Sequence, residues 1–163
     1  MKRMFLLLML VVLLAGCRTG TMETVEDVWE EPAAAQARQI RVSLPGEEAL
    51  PVMESSTDRL YLGEHYQIEV QTLPGGDLNR TVQTMSGLEP EDVTMMQTEQ
   101  GSLARYDFVW AAAGETGDQL GRGAVLDDGN YHYALSVLRS ADDETTRQIH
   151  WDQVFSSFTA EAY

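Results

Sequence analysis

The chain has 163 residues, carries 26 acidic against 11 basic side chains for a formal charge of −15, and holds one cysteine. That length suits one domain plus a tether. The charge argues against nucleic acid and against docking on anionic lipid heads, and a lone cysteine rules out an intrachain disulfide, so the fold must rest on its core.

Lys2 and Arg3 precede an unbroken apolar run from Met4 to Leu14, closed by the small residues Ala15 and Gly16 and by Cys17. A positive start, a short apolar run and a small-residue end make a signal peptide. The run falls short of the about 20 residues of a membrane span. Leu14-Ala15-Gly16-Cys17 resembles the lipobox of bacterial lipoproteins. The resemblance implies a diacylglycerol on the Cys17 thiol and cleavage before it. Stable anchoring takes two or more acyl chains, each methylene contributing about 0.8 kcal/mol. Removing residues 1–16 of the 163 leaves 147, and losing Lys2 and Arg3 moves the charge from −15 to −17. The expected address is the cell membrane or outer membrane, facing outside the cytoplasm. Arg18, next to the cysteine, is not an inner-membrane retention aspartate.

Residues 17–37 read as a flexible acidic tether, too polar to bury a core, with a short helix near Glu26 to Glu31 and Trp29 as its one large apolar residue. Residues 38–163 read as one domain. Ile40, Val42 and Leu44 alternate with polar residues as in a half-buried strand. Pro51 to Ser56 reads as loop. Leu60 and Leu62, then Tyr66, Ile68 and Val70, form a hairpin turning near Gly63-Glu64. Asp77 caps a helix over Leu78 to Ser86, and Gly87 ends it. Strands are expected at Val93 to Thr98, at Leu103 to Ala112, at Gly123 to Leu126 and at Tyr131 to Arg139, with Asp128-Gly129 as a hairpin turn. On the second, Tyr106, Phe108 and Trp110 share a face; on the last, Tyr131, Tyr133, Leu135 and Val137 do. A final helix, capped by Thr145 or Thr146, places Trp151, Val154, Phe155 and Phe158 on one stripe, with Asp142, Asp143 and Glu144 at its positive end.

The reading is α+β: an antiparallel sheet of about five to seven strands flanked by two helices. This order, with WDQVFSSF closing the chain after YHYALSV, resembles the PsbP-like superfamily from Gln39 to Thr159, Ser157-Phe158 standing for its terminal Ser-Phe pair. The resemblance implies compact exported domains with binding or assembly roles rather than catalysis.

No catalytic residue, metal ligand or cofactor is assigned. His65, His132 and His150 lack the spacing of a metal pair on one helix, although His132 with an acid such as Asp107 would make a fold-assembled site. Asp127-Asp128-Gly129-Asn130 has oxygens for calcium but lacks the spacing and distal Glu of an EF-hand; as a hairpin turn it is already explained. Asp142-Asp143-Glu144 is accounted for as a helix cap. Ser156 and Ser157 lack an elbow's glycines, and Gly75-Gly76 and Gly121-Arg122-Gly123 are not phosphate loops. The aromatic rows are core under a helix, or a stacking platform if they face solvent, so Trp110, Tyr133 and His132 are the candidate ligand contacts. The expected function is a membrane-anchored extracytoplasmic lipoprotein, held by Cys17, that binds or assembles with an envelope protein or polymer and not with nucleic acid. The alternatives are a small-ligand-binding lipoprotein and an extracellular enzyme with a fold-assembled site.

Overall fold

The computed structural model describes residues 35–46, 50–114 and 117–162; the leader, Cys17 and the tether as far as residue 34, with its expected helix, lie outside them. The described chain is α+β. Its main sheet has seven antiparallel strands: β2 (Met53–Glu54), β3 (Asp58–Leu62), β4 (Tyr66–Pro74), β5 (Met95–Gln100), β6 (Leu103–Gly114), β7 (Gly117–Asp127) and β8 (Tyr131–Ser140). They lie in the order β2-β3-β4-β8-β7-β6-β5. A second sheet pairs β1 (Gln39–Arg41) with β9 (Thr159–Glu161). Among the described residues no helix is long and apolar enough to cross a membrane.

The hairpins follow from turn chemistry. Between β7 and β8, Gly129 takes φ +86°, which only glycine adopts without cost, and the Asp127 and Asp128 carboxylates accept backbone N–H groups of residues 129, 130 and 131. From β4 the chain must cross β8, β7 and β6 to reach the far edge at β5. It does so through α1 (Leu78–Ser86), where Asp77 accepts from the Asn79 N–H and Gly87 closes the end in the left-handed conformation, as expected. Pro90–Asp92 then makes one tight turn before β5.

The central strands are buried on both faces. Ala124, Val125 and Leu126 of β7 and Tyr133, Ala134 and Leu135 of β8 are all enclosed. Odd-numbered β7 residues share one side with even-numbered β8 residues, and even-numbered β7 residues share the other with odd-numbered β8 residues, because side chains alternate along a strand and partners in the ladder face the same way. One side packs Phe108, Trp110, Val125 and Ala134 under Val82 of α1. The other packs Ile68, Leu126, Tyr133 and Leu135 under Val154, Phe155 and Phe158, with Ile40 and Ala160 of the small sheet beside them. Each valine, leucine, isoleucine or phenylalanine among them contributes roughly 1.5–3 kcal/mol by leaving water.

Gly121 and Gly123 serve this packing. They stand opposite Trp110 and Phe108 in the β6–β7 ladder, and the rings lie over the bare backbone. The two rings stack on each other with centroids 5.6 Å apart. A Cβ on residue 121 would fall inside the Trp110 indole. Gly121→Ala is therefore expected to lower stability by about 1–3 kcal/mol, the usual cost of overfilling a core, read as a drop in the urea midpoint at unchanged slope.

Several expected boundaries differ. Met53–Glu54 pairs with β3 where a loop was expected, because Met53 and Glu54 face Leu60 and Arg59 in register. The first strand stops at Arg41 and its partner is the C-terminal Thr159–Glu161, a long-range pairing that no local pattern announces. The fifth strand lies two residues later, after the turn at Pro90. The last helix is two: α2 (Glu144–Gln148) and α3 (Trp151–Ser157). Asp143, not a threonine, caps α2, its carboxylate accepting the Thr146 N–H at 2.8 Å. Ile149 is extended, and the Trp151 indole N–H donates to the Thr146 carbonyl at 2.8 Å, satisfying the end of α2 and turning the chain into α3.

Candidate functional site

α3 is only seven residues long and covers part of its sheet face. Beyond it the long β6–β7 hairpin continues, and the side chains there that would meet a longer helix meet none. Val109 is 65% exposed and Leu120 39% exposed, although both lie on the core-facing side of the sheet. The result is a half-open groove of about 1210 Å³ between the far half of β6, β7 and β8 and the α2–α3 corner. Buried Val137 and Phe155 form its base. A second hollow, of about 640 Å³, is polar and sits where His65 meets Asp143 at 3.5 Å.

Three arginines border the groove. Arg122 is held twice: its guanidinium lies 4.2 Å from the Phe155 ring centroid, and Nη1 donates to the Asp152 carboxylate at 2.6 Å. Stacking a cation on a ring face keeps it partly desolvated and fixes its direction. Arg139 follows from β8, where it stands across from Leu120 of β7. Its only protein acceptor among the described residues is the Ser140 carbonyl at 3.5 Å. Arg147 rises from α2 and donates to the Ala141 carbonyl at 3.2 Å. Neither Arg139 nor Arg147 has a carboxylate within 4.0 Å among the described residues. Trp151, on the α3 side of the groove, packs edge-on against Tyr66 at 5.4 Å between centroids.

The residues singled out from sequence fall elsewhere. Trp110 and His132 point to the α1 side of the sheet and Tyr133 to the α3 side, so they do not converge on one ligand. Trp110 is 8% exposed; of the three, it alone borders the groove. His132 is 1% exposed, with Nδ1 2.7 Å from the Thr81 hydroxyl. Its Nε2 is buried without a hydrogen-bond partner among the described residues, 3.8 Å from the Asp127 carboxylate. Asp107 cannot be that histidine's acid: strand parity sends it to the opposite face, where Arg105 grips it through two hydrogen bonds of 2.7 and 2.9 Å.

Tyr133 is the centre of a clasp. Its hydroxyl donates to Asp128 at 2.7 Å and accepts the Arg38 backbone N–H at 2.9 Å, while the Arg38 guanidinium approaches the same carboxylate at 3.4 Å. Burial pushes the Asp128 carboxyl up, but the bonds from Tyr133, Tyr131 and Asn130 and the Arg38 charge outweigh it and hold the carboxyl below its ordinary value. Burial first, then the Asp128 carboxylate beside it, pushes the Tyr133 phenol up to about 12. The oxygens that calcium would need in Asp127-Asp128-Gly129-Asn130 are thus engaged by the turn and the clasp, and no cluster of three metal-binding side chains occurs among the described residues. The Ser156 and Ser157 hydroxyls donate to carbonyls of their own helix turn, and Ser157 also accepts the Ser43 N–H at 2.8 Å.

The groove itself escaped the sequence reading. Arg139 continues the inward row Tyr133, Leu135, Val137, and a charged residue ending a buried row is the one local sign that the core opens there. Arg147 carries no such sign. Comparison of the chain with protein-family models, and separately with curated protein sequences, finds no match.

Proposed function

We propose that the protein is a lipid-anchored binding module working outside the cytoplasm, tethered through Cys17 and receiving its ligand or envelope partner in the groove beside α3. The observation that carries the binding half is the groove: concave, apolar at its base, with a few oriented polar groups at its rim, the composition of sites that hold a ligand. The address rests on the sequence Leu13 to Cys17, whose pattern implies acylation. The strong negative charge of the mature chain disfavours nucleic acid and an anionic bilayer face as the bound surface.

The anchor is tested by fractionating cells that make the wild type or Cys17→Ala and weighing the purified products. The expected outcome is wild type in the membrane fraction with a lipid-sized mass increment, and the variant released without one. Equal partitioning and unmodified mass in both would sink the anchor.

A further inference from the structure

We infer that the groove takes a single-headed anionic amphiphile, its apolar chain lying on Val109, Leu120 and Val137 and its carboxylate or phosphate head held by Arg139 and Arg147. The inference rests on the groove being the binding site of the protein, and it goes further by naming the ligand class.

Charge accounting picks out these two residues. Among the described residues five arginines have a carboxylate within 4.0 Å: Arg38, Arg41, Arg59, Arg105 and Arg122. Three others, Arg80, Arg139 and Arg147, have none among the described residues, and two of those three border one groove. In a chain with 26 acids to 11 bases, cations left without carboxylates beside exposed aliphatic side chains are a local inversion of the surface. An arginine offers five N–H donors in a planar fork that matches a carboxylate or phosphate. A single carbonyl acceptor on each of Arg139 and Arg147 leaves most of that fork for a ligand.

The apolar half is adjacent by construction. Arg139 and Leu120 are directly opposed on β8 and β7, so their Cβ atoms lie roughly 4.5–5.5 Å apart, and Val137 and Val109 share the next row across Arg122. Arg122 is already engaged by Asp152 and Phe155 and acts as a wall rather than as a head-group ligand. The surrounding charge also limits the ligand. A peptide or polymer with many carboxylates would be repelled over its whole length by the acidic surface, whereas a small amphiphile brings one charged head to Arg139 and Arg147, which with Arg122 outnumber the two carboxylates, Asp92 and Asp152, that line the groove. A concave base formed by buried Val137 and Phe155 suits an inserted chain better than a flat bilayer.

The test uses the full chain purified from membranes and held in nanodiscs of zwitterionic lipid. Octanoate, octyl phosphate and octanol are titrated in, with tryptophan fluorescence and calorimetry as readouts and empty nanodiscs subtracted. Arg139→Gln and Arg147→Gln are compared with wild type and with Arg80→Gln, an exposed cation outside the groove. Circular dichroism and thermal unfolding establish that each variant folds. The expected result is saturable binding of octanoate or octyl phosphate, weakened at least about tenfold by either groove variant, unchanged in Arg80→Gln, and weaker by a similar factor for octanol. Whichever head binds more tightly identifies the source as carboxylate or phosphate. Octanol binding as well as the anions, with no effect of the arginine variants, would overturn the anionic head and leave the groove as a binding site. Binding of an acidic peptide but of none of the three amphiphiles would overturn the ligand class and again leave the groove. If Leu120→Arg, which fills the groove, alters no binding to wild-type chain by any probe, the groove reading falls as well.

Discussion

Replacing Asp128 by alanine is expected to lower the unfolding free energy by roughly 1.5–3 kcal/mol, the range for losing hydrogen bonds to a charged group at a half-buried site. One carboxylate satisfies the Tyr133 hydroxyl, the N–H groups of Asn130 and Tyr131, and the Arg38 guanidinium. Alanine would leave these donors facing one another, with Tyr133 fully enclosed. Tyr133→Phe removes only one hydroxyl and is expected to cost about 0.5–1.5 kcal/mol. The clasp also sets a pH window. The Asp128 carboxyl sits below its ordinary 3.8 when folded, so its contribution is complete above that value and fades as pH falls through the depressed folded value. The Tyr133 phenol sits at about 12 when folded against 10 unfolded, so its contribution is complete below pH 10 and is lost as pH rises toward 12. Urea titrations at pH 3, 7 and 11 measure both limbs. A wild type whose midpoint changes across these pH values no more than that of Asp128→Ala would show that the clasp does not hold the start of the domain to the β7–β8 turn.

Much of the fold was legible because its signals are local. Alternation in Tyr66 to Val70 and Tyr131 to Val137, the Asp77 and Gly87 caps, and the Asp128-Gly129 turn each need only a few neighbouring residues, and each appears where expected. The pairing of Gln39–Arg41 with Thr159–Glu161 was not legible, since alternation at Ile40 marks a strand but nothing local names a partner 118 or more positions away. The split of the last helix was hidden for a related reason. The stripe Trp151, Val154, Phe155 and Phe158 is helical by spacing, yet the Trp151 indole, by capping the Thr146 carbonyl, decides where the helix begins.

The site was less legible than the fold. Periodicity identifies faces but not which end of a face a short helix leaves bare. The aromatic rows drew attention because stacking residues are conspicuous, and they turned out to fill the interior: Trp110 over Gly121, Tyr133 inside the clasp. The groove depends instead on a difference in length. β6 and β7 have 12 and 11 residues, while α3 has seven. Arg139 and Arg147 come from a strand and a helix whose relative placement only the folded chain supplies.

Phe155→Ala is expected to cost about 3–5 kcal/mol, the range for truncating a buried phenylalanine. Small domains are stable by only about 5–15 kcal/mol in all, so this variant would stand near the limit of folding. Phe155 is the point where α3 meets the sheet: its ring packs in the core, carries the Arg122 guanidinium at 4.2 Å, and its carbonyl accepts from Arg105 at 3.0 Å. The backbone bond survives the substitution, but the ring contacts do not, and the base of the groove goes with them. Phe155→Leu separates the two consequences. It keeps most of the volume and is expected to cost about 1–3 kcal/mol, a figure that includes the lost cation–ring contact worth roughly 0.5–2 kcal/mol. Arg122 would then be held by Asp152 alone, a pair whose carboxylate is 94% exposed and therefore weak. Urea unfolding of the two variants side by side measures this. Should Phe155→Ala cost no more than Phe155→Leu, α3 is fastened by Val154 and Phe158 instead, and the groove's inner wall is looser than its contacts imply.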